Sequence, residues 1–87
     1  MNEEQFEAYL NDIMDRQINA TRNQSVIFTV SLSNTQVRVF IEPIGQKCQQ
    51  YFIYRQATDE TAQKVIKKMD EYLAGMKVWQ GFKKQTT

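Results

Sequence analysis

Residues 26–43 read VIFTVSLSNTQVRVFIEP, which is two runs of alternating apolar and polar side chains with a short polar segment between them. An apolar side chain at every second position is typical of a β-strand that buries one of its faces. Asn34 in the polar segment tolerates the left-handed backbone of a turn, and Pro43 removes a donor from the strand ladder. The stretch therefore predicts a β-hairpin whose second strand ends at Pro43.

A third run with high strand propensity follows the hairpin after a loop that contains Gly45. It reads QYFIYR at residues 50–55 and is too short for its alternation to assign the two faces. The outer face of the sheet therefore carries either Tyr51 and Ile53 or Phe52 and Tyr54.

Helical periodicity precedes and follows the strands, with apolar residues at every third or fourth position. The first such segment, residues 3–18, opens with carboxylates and carries Phe6, Leu10, Ile13, Met14 and Ile18. Polar residues 19–24 predict a connector. A second helix begins near Thr58, whose hydroxyl can cap it, and carries Ala62, Val65, Ile66, Met69, Leu73 and Met76. Gly75 leaves open whether this helix ends there, with residues 76–84 forming a short final helix.

We predict a single domain over residues 1–87, because the chain is too short for two. Its fold class is α+β: a two-layer sandwich, in the order α-β-β-β-α, of a three-stranded antiparallel meander with both helices on one face. The residues expected to face the helices are Val26, Phe28, Val30, Leu32, Val37, Val39 and Ile41. The opposite sheet face would be more apolar than a solvated face requires.

The chain has no histidine and a single cysteine, Cys48, so it lacks the commonest proton shuttle and metal ligand at neutral pH. The acidic pairs Glu3 with Glu7 and Asp12 with Asp15 are typical of a solvated helix face, since a divalent cation needs more converging ligands. We therefore predict a protein that is not an enzyme, with no catalytic residues, metal site, cofactor or small-molecule substrate.

The amino terminus reads MNEEQ, which has neither the basic start nor the apolar stretch of a signal peptide. One cysteine cannot form an internal disulfide, which agrees with a reducing compartment. We expect a cytoplasmic protein that makes no use of a membrane.

The order α-β-β-β-α is also that of double-stranded RNA-binding domains. Those domains approach phosphates with a strongly basic start of their second helix, whereas residues 58–61 here read TDET and would repel a phosphate. The shared order alone indicates no family membership.

A protein partner is predicted to bind the outer sheet face, a free strand edge or the aromatic segment near the carboxyl terminus. Excess apolar side chains on that face and two free strand edges are features through which proteins bind other chains. The candidate residues are Ile27, Thr29, Arg38, Phe40 and Ile53. We predict a small protein-binding module that acts as a regulator, adaptor or inhibitor, with a homodimer as its simplest form. Small proteins of this kind are frequent among phage and mobile-element accessory factors, an analogy that no residue here carries.

The alternative is a nucleic-acid-binding protein that uses a basic and aromatic surface near the carboxyl terminus. Lysines can follow a phosphate backbone while aromatic rings stack on bases. The candidate residues are Lys64, Lys67, Lys68, Lys77, Trp79, Phe82, Lys83 and Lys84. The net charge of +1 counts against this alternative, because nucleic-acid-binding domains tend to be clearly basic.

Overall fold

The element order matches the prediction, in a computed structural model that describes the backbone of residues 1–23 and 25–86 and the side chains of residues 1–22 and 25–75. The elements are α1 (Glu3–Asn23), β1 (Val26–Leu32), β2 (Gln36–Pro43), β3 (Gln49–Tyr54) and α2 (Asp59–Thr86). The strands form one antiparallel sheet in the order β1-β2-β3. α1 packs over β1 and α2 over β3, which confirms the α+β fold with a three-stranded meander.

The core lies between the helices and one face of the sheet. Val37 of β2 stands opposite Leu32 of β1 and Ile53 of β3, so these three side chains share a face. The buried apolar side chains are Phe6, Ile13, Ala20, Phe28, Val37, Val39, Ile41, Ile53, Ala62 and Met69. Leu32 was expected among them, but it is 52% exposed at the end of β1.

α1 is longer than its sequence pattern predicted. The connector expected over residues 19–24 is wrong for residues 19–23, which continue the helix to Asn23. Ala20 is only 5% exposed and follows Ile13 by two helical turns, so it extends the buried stripe. The Thr21 hydroxyl donates to the Gln17 carbonyl at 2.7 Å, which lets a polar residue stay inside the helix.

Side-chain caps begin both helices. Asn2 Oδ1 accepts a hydrogen bond from the Gln5 backbone N–H at 2.8 Å, and Gln5 Oε1 accepts one from the Asn2 N–H at 3.1 Å. This reciprocal capping box satisfies two donors at the start of α1. In α2 the predicted cap is confirmed, because Thr58 Oγ1 accepts from the Thr61 N–H at 3.1 Å.

α2 continues through Gly75 to Thr86 as one helix, so a separate final helix is not formed. A helix commonly ends where a glycine takes the left-handed conformation, and of the described residues only Gly45 has a positive φ, 78°. Gly75 therefore only weakens the helix, by about 1 kcal/mol relative to alanine.

A bidentate ion pair joins α1 and α2. Arg16 Nε lies 2.6 Å from Asp70 Oδ1, and Arg16 Nη2 lies 3.0 Å from Asp70 Oδ2. The hydrogen bond to Asp70 raises the pKa of Arg16 above its ordinary value. At the other end of α1, Arg55 Nη1 lies 2.8 Å from Glu3 Oε1, and the Arg55 guanidinium lies 4.3 Å from the Phe6 ring centroid. These contacts fix α1 and α2 over one sheet face.

Candidate protein-binding face

The sheet face that points away from the helices, here called the open face, is built by alternate residues of the three strands. Val37, Val39 and Ile41 are buried against the helices, so the residues between them point the other way. Thr29 of β1 and Gln50 of β3 stand opposite Phe40, which carries the alternation to both edge strands. The open face is formed by Ile27, Thr29, Ser31, Gln36, Arg38, Phe40, Glu42, Gln50, Phe52 and Tyr54.

Arg38 lies close to two aromatic rings on the open face. Its guanidinium carbon is 5.7 Å from the ring centroid of Phe40 and 5.3 Å from that of Phe52. The sheet register explains both contacts, because Phe40 follows two residues later on β2 and Phe52 stands opposite on β3. A cation within about 6 Å of an aromatic centroid is attracted to the ring. The two rings therefore hold the exposed arginine across the face.

The open face carries one cation and one anion. The ion pairs among the described side chains are Arg16 with Asp70, Arg55 with Glu3 and Lys64 with Glu60. Arg38 and Glu42 belong to none of these pairs, and both side chains are exposed. They lie two residues on either side of Phe40 on the central strand. Opposite charges thus flank an aromatic centre.

Apolar side chains also lie farther from this centre. Ile27 is 57% exposed and Tyr54 is 54% exposed, at opposite corners of the open face. Phe40 and Phe52 are half-buried. Arginine and the aromatic residues are the types that contribute most to protein interfaces. The open face therefore carries residue types that are enriched at protein interfaces.

Ile53 is the one predicted protein-binding residue that does not lie on the open face. It is 2% exposed and stands opposite Val37 in the core. Phe52 and Tyr54 take the outer positions, so the second of the two sequence alternatives is the one that occurs. Glu42 was not among the candidates, although its alternation with Arg38 and Phe40 on β2 is the signal that identifies its face. Ile27, Thr29, Arg38 and Phe40 are brought together as predicted.

The two edges of the sheet differ in how they are covered. On β1, the Gln17 side chain donates to the Phe28 carbonyl at 2.7 Å. Next to β3, the Arg55 N–H donates to the Thr35 carbonyl at 2.9 Å, so these two residues form a hydrogen-bonded pair. Hydrogen-bonded and non-hydrogen-bonded pairs alternate along an antiparallel ladder. The backbone groups of Gln50 and Phe52 on β3 therefore point away from β2. The three-stranded sheet places no strand beyond β3, so this edge borders the open face without a partner strand in the described part of the chain.

The lysines of the nucleic-acid alternative are only partly described. Lys64, Lys67 and Lys68 are exposed on α2, and Lys64 Nζ lies 3.7 Å from Glu60 Oε1. Glu71 follows Lys67 by four residues, so the helix face mixes both signs of charge. The side chains of Lys77, Trp79, Phe82, Lys83 and Lys84 lie outside the described residues. Among the described side chains, the lysines of α2 therefore lie beside acidic residues.

A groove of about 370 Å³ lies between the first halves of the two helices. Tyr9 Oη donates to Asp59 Oδ1 at 2.5 Å, and Gln63 Nε2 donates to Asp59 Oδ2 at 3.0 Å. Burial and then the hydrogen bond with Asp59 raise the pKa of Tyr9 above its ordinary value. Tyr9, Asp59 and Gln63 therefore hydrogen-bond one another within the groove, which Asp12 also lines. Within residues 1–22 and 25–75, no three histidine, cysteine, aspartate or glutamate side chains come together as metal ligands would.

The described helices include none that is both long and apolar enough to cross a membrane. Comparisons of the chain with protein-family models, with curated proteins and with solved structures find no match.

Proposed function

We propose that this chain is a protein-binding module without enzymatic activity, which holds a partner protein on the open face in the cytoplasm and so acts as a regulator, adaptor or inhibitor. The observation that carries the proposal is the cluster of Arg38, Phe40 and Phe52 on a sheet face that neither packed helix covers.

The open face is suited to binding because the core on the other side of the sheet keeps its strands rigid. Every strand that contributes to it also contributes buried residues to the core, including Phe28, Val39 and Ile53. A rigid surface loses little conformational entropy on association, so more of the contact energy appears as affinity. The cation–π contacts also restrict Arg38, which as a free side chain would lose about 2 kcal/mol of rotamer entropy.

Site-specific crosslinking tests the proposal. A photo-crosslinking amino acid at Thr29, next to Phe40 on the open face, should capture protein in living cells. The same amino acid at Asn19, exposed on α1, is the control position and should capture far less. Adding Phe40→Glu should reduce the Thr29 crosslink at least about 30-fold, because a central aromatic anchor is worth about 2 kcal/mol or more. Ile18→Glu, an equally drastic change on α1, should leave it unchanged.

The nucleic-acid alternative makes the opposite prediction in the same experiment. A Thr29 adduct that disappears on nuclease treatment, or equal crosslinking at Thr29 and Asn19, would count against the open face as a protein-binding site. Salt-sensitive binding to nucleic acid that Lys64→Glu or Lys68→Glu abolishes would support the alternative instead.

A further inference from the structure

We infer that the open face binds a second copy of this chain, with the two sheets packed face to face about a two-fold axis that runs across the strands through Phe40. The inference deepens the proposed function and rests on it, since it names the partner of the same face.

The central strand is complementary to itself under this operation. The two-fold axis lies between the sheets and perpendicular to β2, so β2 of the second copy runs in the opposite direction. Each β2 residue of one copy therefore faces the β2 residue of the other copy that lies at the same distance on the other side of Phe40. Arg38 and Glu42 each lie two residues from Phe40, about 7 Å along the strand. Arg38 of one copy therefore faces Glu42 of the other, twice, and Phe40 faces its own equivalent.

The charges choose this axis over the other symmetric arrangement. A two-fold axis parallel to the strands would place Arg38 over Arg38, and like charges that face each other weaken an interface. In the favoured arrangement both charges of the open face, which belong to none of the ion pairs among the described side chains, gain a partner of opposite sign.

Packed sheets cross at about 30°, which moves positions 7 Å from the centre sideways by about 4 Å. Arginine and glutamate side chains span such a shift. The uncharged residues beside Phe40 cause no conflict, because Thr29 faces Thr29 and Gln50 faces Gln50. The same operation carries Tyr54 over the 44–48 loop of the second copy, where Ile44 is 75% exposed.

The open face is small compared with the interface of a stable dimer. Seven residues along three strands form a face of about 23 Å by 14 Å. Its area is less than half of the roughly 800 Å² per partner that a standard stable interface buries. We therefore expect a weak dimer, so that monomer and dimer exchange with concentration.

Charge reversal tests the arrangement, with sedimentation velocity from about 5 to 500 μM as the measurement. Arg38→Glu and Glu42→Arg should each weaken self-association by about tenfold or more, because both facing pairs become repulsive. An equimolar mixture of these two variants should form a dimer, because every carboxylate of one then faces a guanidinium of the other. The doubly exchanged chain, R38E/E42R, should recover most of the wild-type self-association. Circular dichroism establishes that each variant is folded.

Three outcomes would overturn the inference: a wild-type chain that stays monomeric at 500 μM, single variants that self-associate like the wild type, or a mixture of the two that stays monomeric. The proposed function is judged separately from the crosslinked adduct at Thr29. An adduct with twice the mass of the chain supports the second copy. An adduct with a different protein, lost in Phe40→Glu, supports the proposed function while it rejects the second copy.

Discussion

The side-chain amide of Gln17 on α1 donates a 2.7 Å hydrogen bond to the backbone carbonyl of Phe28 on β1. Across the hairpin, the Ser33 N–H donates to the Gln36 carbonyl at 2.9 Å. Because hydrogen-bonded and non-hydrogen-bonded pairs alternate along an antiparallel ladder, the backbone groups of the even-numbered residues of β1 point away from β2. The helix thus occupies a carbonyl that an added strand would need. This protection of the β1 edge agrees with an interface on the open face instead of at that edge.

Gln17→Ala removes this protection. We expect the free energy of unfolding to fall by about 1 kcal/mol, because a part-buried hydrogen bond to the backbone is lost. The exposed edge should also make the protein aggregate faster. Urea denaturation and light scattering measure the two effects. Asn19→Ala, an exposed change on the same helix, is the control and should alter neither, and equal behaviour of the two variants would contradict the role given to Gln17.

Two nearby isoleucines allow the stability effect of a buried side chain to be compared with that of an exposed one. Ile41 is fully buried, whereas Ile44, three residues later, is 75% exposed. Ile41→Ala should lower the free energy of unfolding by about 2–5 kcal/mol, since it leaves a cavity in a core that cannot fully collapse. Ile44→Ala should change it by less than about 0.5 kcal/mol. If Ile41→Ala does not fold, Ile41→Val gives a measurable loss of about 0.5–1.5 kcal/mol in urea denaturation. Similar losses for both alanine variants would refute the packing.

The hairpin was predictable because its two strands bury one face each and show it as a clean alternation. Val37, Val39 and Ile41 alternate with Arg38, the half-buried Phe40 and Glu42, and they are buried as expected. In β3 both faces carry apolar residues, so the alternation is lost. Ile53 packs in the core and Phe52 against Arg38, and only the register with β2 distinguishes them. The open face was therefore predicted on β1 and β2 but not on β3.

The helix ends were less predictable than the helices, because a few local hydrogen bonds decide them. Asn2 and Gln5 form a capping box that the sequence pattern contained but that the acidic first turn obscured. Asn19 and Thr21 look like connector residues, yet Ala20 between them completes the buried stripe and keeps the chain helical. Tertiary burial here outweighs the weak helix propensity of the polar residues.

Glycines with opposite backbone conformations give a matched pair of substitutions. Neither Gly75 nor Gly45 has a heavy atom within 4 Å of where a Cβ would be placed. Gly75→Ala should raise the free energy of unfolding by about 0.5–1 kcal/mol, because alanine favours the helix that passes through it. Gly45→Ala should lower it by about 1 kcal/mol, because its φ of 78° is unfavourable for a residue with a Cβ. Thermal or urea unfolding that moved both in the same direction would contradict the two assigned conformations.

Tyrosine burial makes the fold sensitive to alkaline pH. Burial raises the pKa of Tyr51, with repulsion from Tyr72 adding to it. The unfolded chain releases these phenolic protons near pH 10, while the folded chain keeps them to higher pH. Above about pH 10 the unfolded state therefore binds fewer protons, so the free energy of unfolding declines as pH rises through the raised pKa values and is unaffected by this group below pH 10.

Tyr51→Phe keeps the ring and removes the titration. Urea denaturation from pH 8 to 11 at constant ionic strength should show a shallower decline in the variant than in the wild type. Parallel declines in the two chains would mean that Tyr51 does not contribute.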